Sequence, residues 1–81
     1  MKVRLNPKAK KQLEKLDRQV AERLAKGIKK LEKEPMEGDI EPVTEIEGAF
    51  RLRVGDYRIL FEVVCNEVHV FKIKGRDKAY K

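Results

Sequence analysis

Residues 50–63 read FRLRVGDYRILFEV. Apolar side chains occupy positions 50, 52 and 54, and again 57, 59, 61 and 63, while Arg51, Arg53 and Arg58 take alternate positions between them. Alternation on both sides of Gly55-Asp56 predicts two antiparallel strands joined by a two-residue turn. In that register Val54 pairs with Tyr57, and Arg53 lies directly across from Arg58. One face then holds Phe50, Leu52, Val54, Tyr57, Ile59, Phe61 and Val63, and needs a covering layer. The other holds Arg51, Arg53, Arg58, Leu60 and Glu62. Like charges directly opposite cost a few tenths to about 1 kcal/mol, which a single Glu or Thr would have avoided. Two readings follow. An antiparallel sheet often turns one charged face to water. Alternatively, the arginine forks hold phosphate oxygens, which they match in geometry.

Downstream, residues 67–74 alternate again, and Cys65-Asn66 sits where the second tight turn is needed. A continuous ladder would place Leu60, Phe71 and Ile73 on the arginine side. Apolar residues beside a cationic groove suit a small second core under the tail, or a docking place for a partner helix. The tail, KIKGRDKAYK (72–81), adds Lys74, Arg76, Lys78 and Lys81, with Tyr80 among them. A tyrosine in such a cluster can stack on a base or exchange a proton.

Upstream, KVRL (2–5) suits a short first strand. Asn6 followed by Pro7 is a helix start, an N-cap with proline in the first turn. Ala9, Leu13 and Leu16 then share one helical face, and Asp17 is a second N-cap. Val20, Leu24, Ile28 and Leu31 continue the stripe, widened by Ala21 and Ala25. Gly27 inside this helix costs about 1 kcal/mol against Ala, which predicts close packing there. Pro35 ends the helix near Glu34. Residues 35–48 (PMEGDIEPVTEIEG) are the least regular part, tacked to the core by Val43 and Ile46, and the acidic stretch 37–47 is read as a solvated connector. The predicted fold is α+β: a short N-terminal strand and a helical hairpin packed on one face of an antiparallel meander made by residues 49–54, 57–64 and 67–74.

With 81 residues the chain is expected to be a single domain, residues 1–81. Lys and Arg number 20 against 14 Asp and Glu, which favours a polyanionic partner. The charges are segregated: 12 basic and 4 acidic in residues 1–33, none basic and 6 acidic in 34–48, 8 basic and 4 acidic in 49–81. No apolar run approaches the roughly 20 residues of a membrane span, and no signal-peptide pattern opens the chain. The expectation is a cytoplasmic protein without a membrane partner, and the lone Cys65 agrees with a reducing compartment. One His and one Cys are too few for a zinc site within the chain, so no metal or other cofactor is expected.

The chain resembles the RelE/ParE superfamily of bacterial and archaeal toxins, most of all the short archaeal-type RelE proteins. NPKAKKQLEKLDRQVAERLAKGIKKLEKEP (6–35) is similar to the family's opening helical hairpin, FRLRVGDYRILFEV to its diagnostic strand pair, and VFKIKGRDKAYK (70–81) to its closing strand and tail. Well-studied members carry lysines where Arg51 and Arg53 stand, and many have Gly-His or Lys-Pro where this chain has Lys74-Gly75. The resemblance implies a toxin of a type II toxin–antitoxin system that cuts mRNA on the ribosome and is restrained by a cognate RelB-type antitoxin. Carried over by motif, Arg51, Arg53, Arg58, Arg76 and Tyr80 are the expected catalytic residues. Lys74, Lys78 and Lys81 are the expected RNA contacts, and Leu60, Phe71 and Ile73 the expected antitoxin contacts.

Cleavage without a metal requires activation of a 2′-hydroxyl, stabilisation of the phosphorane and protonation of the leaving 5′-oxygen. Arginine cannot act as a base. His69, expected across from Glu62 and away from the tail, is read as structural or solvated. Tyr80 is then the general base, its phenolate stabilised by neighbouring cations, or else an aromatic that pins the tail to the sheet. Two further readings stay open: a ParE-type relative that poisons a DNA topoisomerase, whose family generally lacks the tail Arg and Tyr, and a non-catalytic basic module that binds RNA or ribosomes.

Overall fold

The computed structural model describes residues 1–75, which form strand β1 (Lys2–Leu5), helices α1 (Pro7–Glu14) and α2 (Arg18–Lys29), a 3-10 turn (Lys30–Glu32), and strands β2 (Asp39–Pro42), β3 (Ala49–Val54), β4 (Tyr57–Val64) and β5 (Glu67–Lys74). Both predicted caps form. The Asn6 side chain accepts from the Ala9 amide at 2.8 Å with Pro7 in the first turn, and Asp17 accepts from Gln19 at 3.3 Å. α2 ends five residues before the expected stop, and the 3-10 turn carries Leu31 into the core.

The strands order as β1-β5-β4-β3-β2. β2 through β5 run as an antiparallel meander, and β1 joins β5 in parallel, so the sheet is mixed. Ala9 of α1, Leu24 and Ile28 of α2, and Leu31 pack on Leu52, Ile59, Phe61, Val68, Val70 and Ile73 from one face of the sheet. Phe50 and Phe61, directly paired, stack with ring centroids 5.7 Å apart. The close packing expected at Gly27 is present: a Cβ there would stand 2.7 Å from Cγ2 of Val54. Val63 lies beyond the helical cover and is exposed, as is Ala25 on α2.

Two expectations are corrected. Residues 39–42 are an edge strand rather than part of a connector, with Ile40 paired to Leu52. Pro42 and a length of four residues conceal that strand, because edge strands are short and tolerate proline. Ile46 is exposed rather than tacked to the core, while Val43 is half-buried and donates its amide to the Ala49 carbonyl at 2.9 Å.

The second correction concerns register. Arg53 pairs with Arg58, and Glu62 with His69, as expected, but the β4–β5 ladder slips between Leu60 and Phe61. Phe61 pairs with Val70 and Leu60 with Lys72, leaving Phe71 as a bulge. Ile73 therefore falls across from Ile59 and is buried in the main core, not on the arginine side. Past Val70, where β1 ends its pairing with β5, the helical layer holds the β5 backbone: the Asn6 side-chain amide donates to the Phe71 carbonyl at 3.3 Å, and the Ile73 amide donates to Oε1 of Gln12 at 2.8 Å.

Candidate nucleic-acid interface

On the face opposite the helices, the registers set Arg53, Arg58 and Lys74 side by side on β3, β4 and β5. Neighbouring strands stand about 4.8 Å apart, so the three cations form a row about 10 Å long. One step along the strands, Arg51, Leu60 and Lys72 form a second row. Leu60, almost fully buried, is its apolar centre.

The row is bordered by carboxylates that the sequence reading placed in solvent. β2 sets Asp39 across from Arg53 and Glu41 across from Arg51, and Glu41 is ion-paired to the Arg51 guanidinium. Asp39, Glu41, Arg51, Arg53 and Arg58 enclose a small polar depression of about 70 Å³. A larger one of about 380 Å³ adjoins it, lined by Val43, Glu45, Ile46, Arg51, Arg58, Leu60 and Lys74. Arg51 and Arg58 belong to both, so the two form one surface. Its chemistry is that of an anion cradle: guanidinium forks over an apolar floor, bordered by Asp39 and Glu41 of β2 and by Glu45.

Arg51, Arg53, Arg58 and Lys74 are thus brought together, and Lys74 arrives there because of the bulge. Leu60 lies among them. Phe71 is half-buried at the bulge, and Ile73 belongs to the core. Arg76, Lys78, Tyr80 and Lys81 lie outside the described residues. The chain reaches that segment at Gly75, where a Cβ would stand 3.6 Å from Cε2 of Tyr57. The missed participants are Asp39, Glu41 and Glu45. Their signal was the alternation Asp39-Ile40-Glu41, one apolar residue between two acids.

His69 sits at the far end of the β4–β5 ladder. Its Nε2 is 3.1 Å from Oε1 of Glu67, to which Nε of Arg4 also donates at 3.0 Å. These hydrogen bonds, that of His69 first, hold the Glu67 carboxyl below the usual carboxylate range. Among the described residues no group of His, Cys, Asp and Glu is arranged to hold a metal ion. Nor is any of their helices long and apolar enough to cross a membrane.

Solved structures share the fold. The RelB–RelE antitoxin–toxin complex of Methanococcus jannaschii matches with a TM-score of 0.75 and 20% identity over 94% of this chain and 93% of that one. The archaeal RelE–RelB complex of Pyrococcus horikoshii OT3 gives 0.78 and 24% over 95% and 96%. The toxin–antitoxin complex RelBE2 of Mycobacterium tuberculosis gives 0.78 and 25% over 93% and 96%. No curated protein sequence is significantly similar. The family model for the ParE toxin of type II toxin–antitoxin systems matches residues 3–80, nearly the whole length. The chain therefore belongs to the ParE toxin family of type II toxin–antitoxin systems, within the RelE/ParE superfamily.

Proposed function

We propose that the chain is a RelE-type toxin: a metal-independent endoribonuclease that cuts mRNA on the ribosome in the cytoplasm and is neutralised by a cognate RelB-type antitoxin. The observation that carries this reading is the row Arg53–Arg58–Lys74, three cations on adjacent strands beside the Leu60 floor. Such a row suits a phosphodiester whose charge grows during reaction. In this reading Tyr80 takes the proton of the 2′-hydroxyl, the 2′-oxygen bonds to phosphorus, and the bond from phosphorus to the 5′-oxygen breaks as that oxygen takes a proton from water, leaving a 2′,3′-cyclic phosphate and a 5′-hydroxyl. Arg58, at the centre of the row, stabilises the phosphorane, and Arg51, Arg53 and Arg76 hold the substrate phosphates. Lys74, Lys78 and Lys81 contact the backbone on either side. Support for the antitoxin comes from the structural relatives, which are themselves toxin–antitoxin complexes. Its apolar anchor on this face is Val43 and Ile46 above the buried Leu60 floor, since Ile73 is buried in the main core.

Arg58→Ala should slow cleavage on programmed ribosomes by about 2–4 kcal/mol of transition-state stabilisation, roughly thirtyfold to a thousandfold. Tyr80→Phe should lower the rate about a hundredfold or more with little effect on binding. Unchanged cleavage in both variants would remove the active site from this face. A ParE-type topoisomerase poison is the second reading, favoured by the family model that the chain matches. Inhibition of gyrase supercoiling by a toxin that leaves mRNA intact would establish it instead.

A further inference from the structure

Arg51 and Arg53 occupy equivalent positions on β3, yet Arg51 carries a resident partner. Glu41 lies directly across from it on β2, and the two side chains form an ion pair within the depression that also holds Arg53 and Arg58. Both side chains remain substantially exposed, so an arriving anion can reach the guanidinium and water can receive the displaced carboxylate. Arg51 also lines the larger depression, beside Arg58 and Lys74. A phosphate binding at Arg51 must therefore compete with a carboxylate tethered by the sheet itself.

We infer that Glu41 is a built-in competitor for RNA phosphate. It holds Arg51 out of the phosphate-binding set until a strand already seated on Arg53, Arg58 and Lys74 displaces it. The inference rests on the phosphate-face reading given above. Tethered competition of this kind sharpens selectivity: a polyanion that touches only the β2 side meets Asp39 and Glu41, whereas one that spans the row gains Arg51 as its last contact. Glu41 acts through Arg51 and is thus a positioning residue, not a catalytic one.

The test is binding of a short, fluorescent, fully 2′-O-methylated RNA, which cannot be cut, across a salt series. Glu41→Gln should bind about two- to fivefold tighter, the range expected on releasing an exposed ion pair. Its plot of log affinity against log salt should keep the parental slope, because the seated strand reaches Arg51 in both proteins. The gain should vanish in an Arg51→Ala background, whose slope should fall by about 0.7, one phosphate contact on a single strand. Glu47→Gln makes the same change in net charge at an exposed site outside both depressions, and should produce no such gain. Glu41→Thr, a neutral strand-former, should reproduce the Gln result. If the gain persists without Arg51, or Glu47→Gln matches it, or Arg51→Ala leaves the slope unchanged, the competitor role is wrong. Arg58→Ala, measured alongside, separates the two levels. If it weakens binding while Glu41→Gln does nothing, only the competitor fails. If it leaves binding unchanged, the phosphate face fails and the competitor with it.

Discussion

Gly27 sits at the closest approach of α2 to β3, and replacing it with alanine separates two opposed effects. Alanine in a helix interior is favoured over glycine by about 1 kcal/mol. At this position, however, the new methyl would stand 2.7 Å from Cγ2 of Val54 and 3.6 Å from Cδ2 of Leu52. Carbon atoms pack best at about 3.5–4.0 Å, so the first contact is about 1 Å too short. Val54 is β-branched, with restricted χ1, and cannot swing aside as a longer side chain would. Overpacking of this kind costs about 1–3 kcal/mol. The net expectation for Gly27→Ala is destabilisation on the order of 1 kcal/mol. Val54→Ala removes the obstructing methyl, and in that background Gly27→Ala should become stabilising by up to about 1 kcal/mol. The coupling between the two sites is then about 2 kcal/mol, within the range for residues in direct contact. Urea unfolding of the four proteins of the cycle measures it. A Gly27→Ala protein more stable than the parent, or an equal effect in both backgrounds, would refute the steric account.

Three further outcomes can be checked. Cys65 and Asn66 both have positive φ, 53° and 62°, the pattern of a type I′ turn, so replacing Cys65-Asn66 with Asn-Gly should stabilise by about 1 kcal/mol in thermal unfolding; a loss would contradict that geometry. Glu67 ionises below its ordinary value of 4.5 because His69 and Arg4 donate to it, so its contribution is present above that value and fades as pH falls through the lower folded-state value. Glu67→Gln should therefore flatten the loss of stability below pH 4.5, and an unchanged acid limb would rule the linkage out. Gln12→Leu strips the Ile73 amide of its acceptor at a cost of about 1–3 kcal/mol, and hydrogen exchange at that amide should accelerate. Unaltered protection would mean that another group holds it.

The strands β3, β4 and β5 were legible to the residue because apolar side chains recur at every second position, over six or eight residues, between turn pairs. The helix starts were legible for a different reason, since Asn6-Pro7 and Asp17 carry capping chemistry in their side chains. β2 was not, because a four-residue strand ending in Pro42 offers only Ile40 as an apolar signal. Its omission altered the electrostatics of the site more than the fold. Read without β2, the arginines share their face with a single acid, Glu62. With it, Asp39 and Glu41 lie against Arg53 and Arg51, and the charge signs are mixed across strands instead of along one.

The bulge at Phe71 was invisible for a deeper reason: nothing local in VFKIK breaks the alternation, and tertiary packing decides the register. In a continuous ladder Ile73 would stand across from Arg58 in the cationic row, and Lys74 across from Tyr57 on the helical side. Burying an isoleucine is worth about 1.5–3 kcal/mol, and placing Lys74 under the helices would add the cost of an enclosed charge. Skipping one residue reverses both placements, with Ile73 buried against Ile59 and Lys74 beside Arg58. Against this stands a disrupted stretch of ladder, near which Asn6 and Gln12 bond the Phe71 carbonyl and the Ile73 amide. The balance favours the bulge through burial of Ile73 and solvation of Lys74, without any attraction between side-chain charges, since setting Lys74 next to Arg58 is itself repulsive. The third cation of the row is therefore delivered by the hydrophobic core. A substitution that weakens the demand for Ile73, such as Ile73→Thr, should loosen the placement of Lys74 and lower RNA affinity without touching a phosphate contact. Cross-strand nuclear Overhauser contacts between residues 58 and 74 would report that loss directly, and their persistence in the variant would show that packing at Ile73 does not set the register.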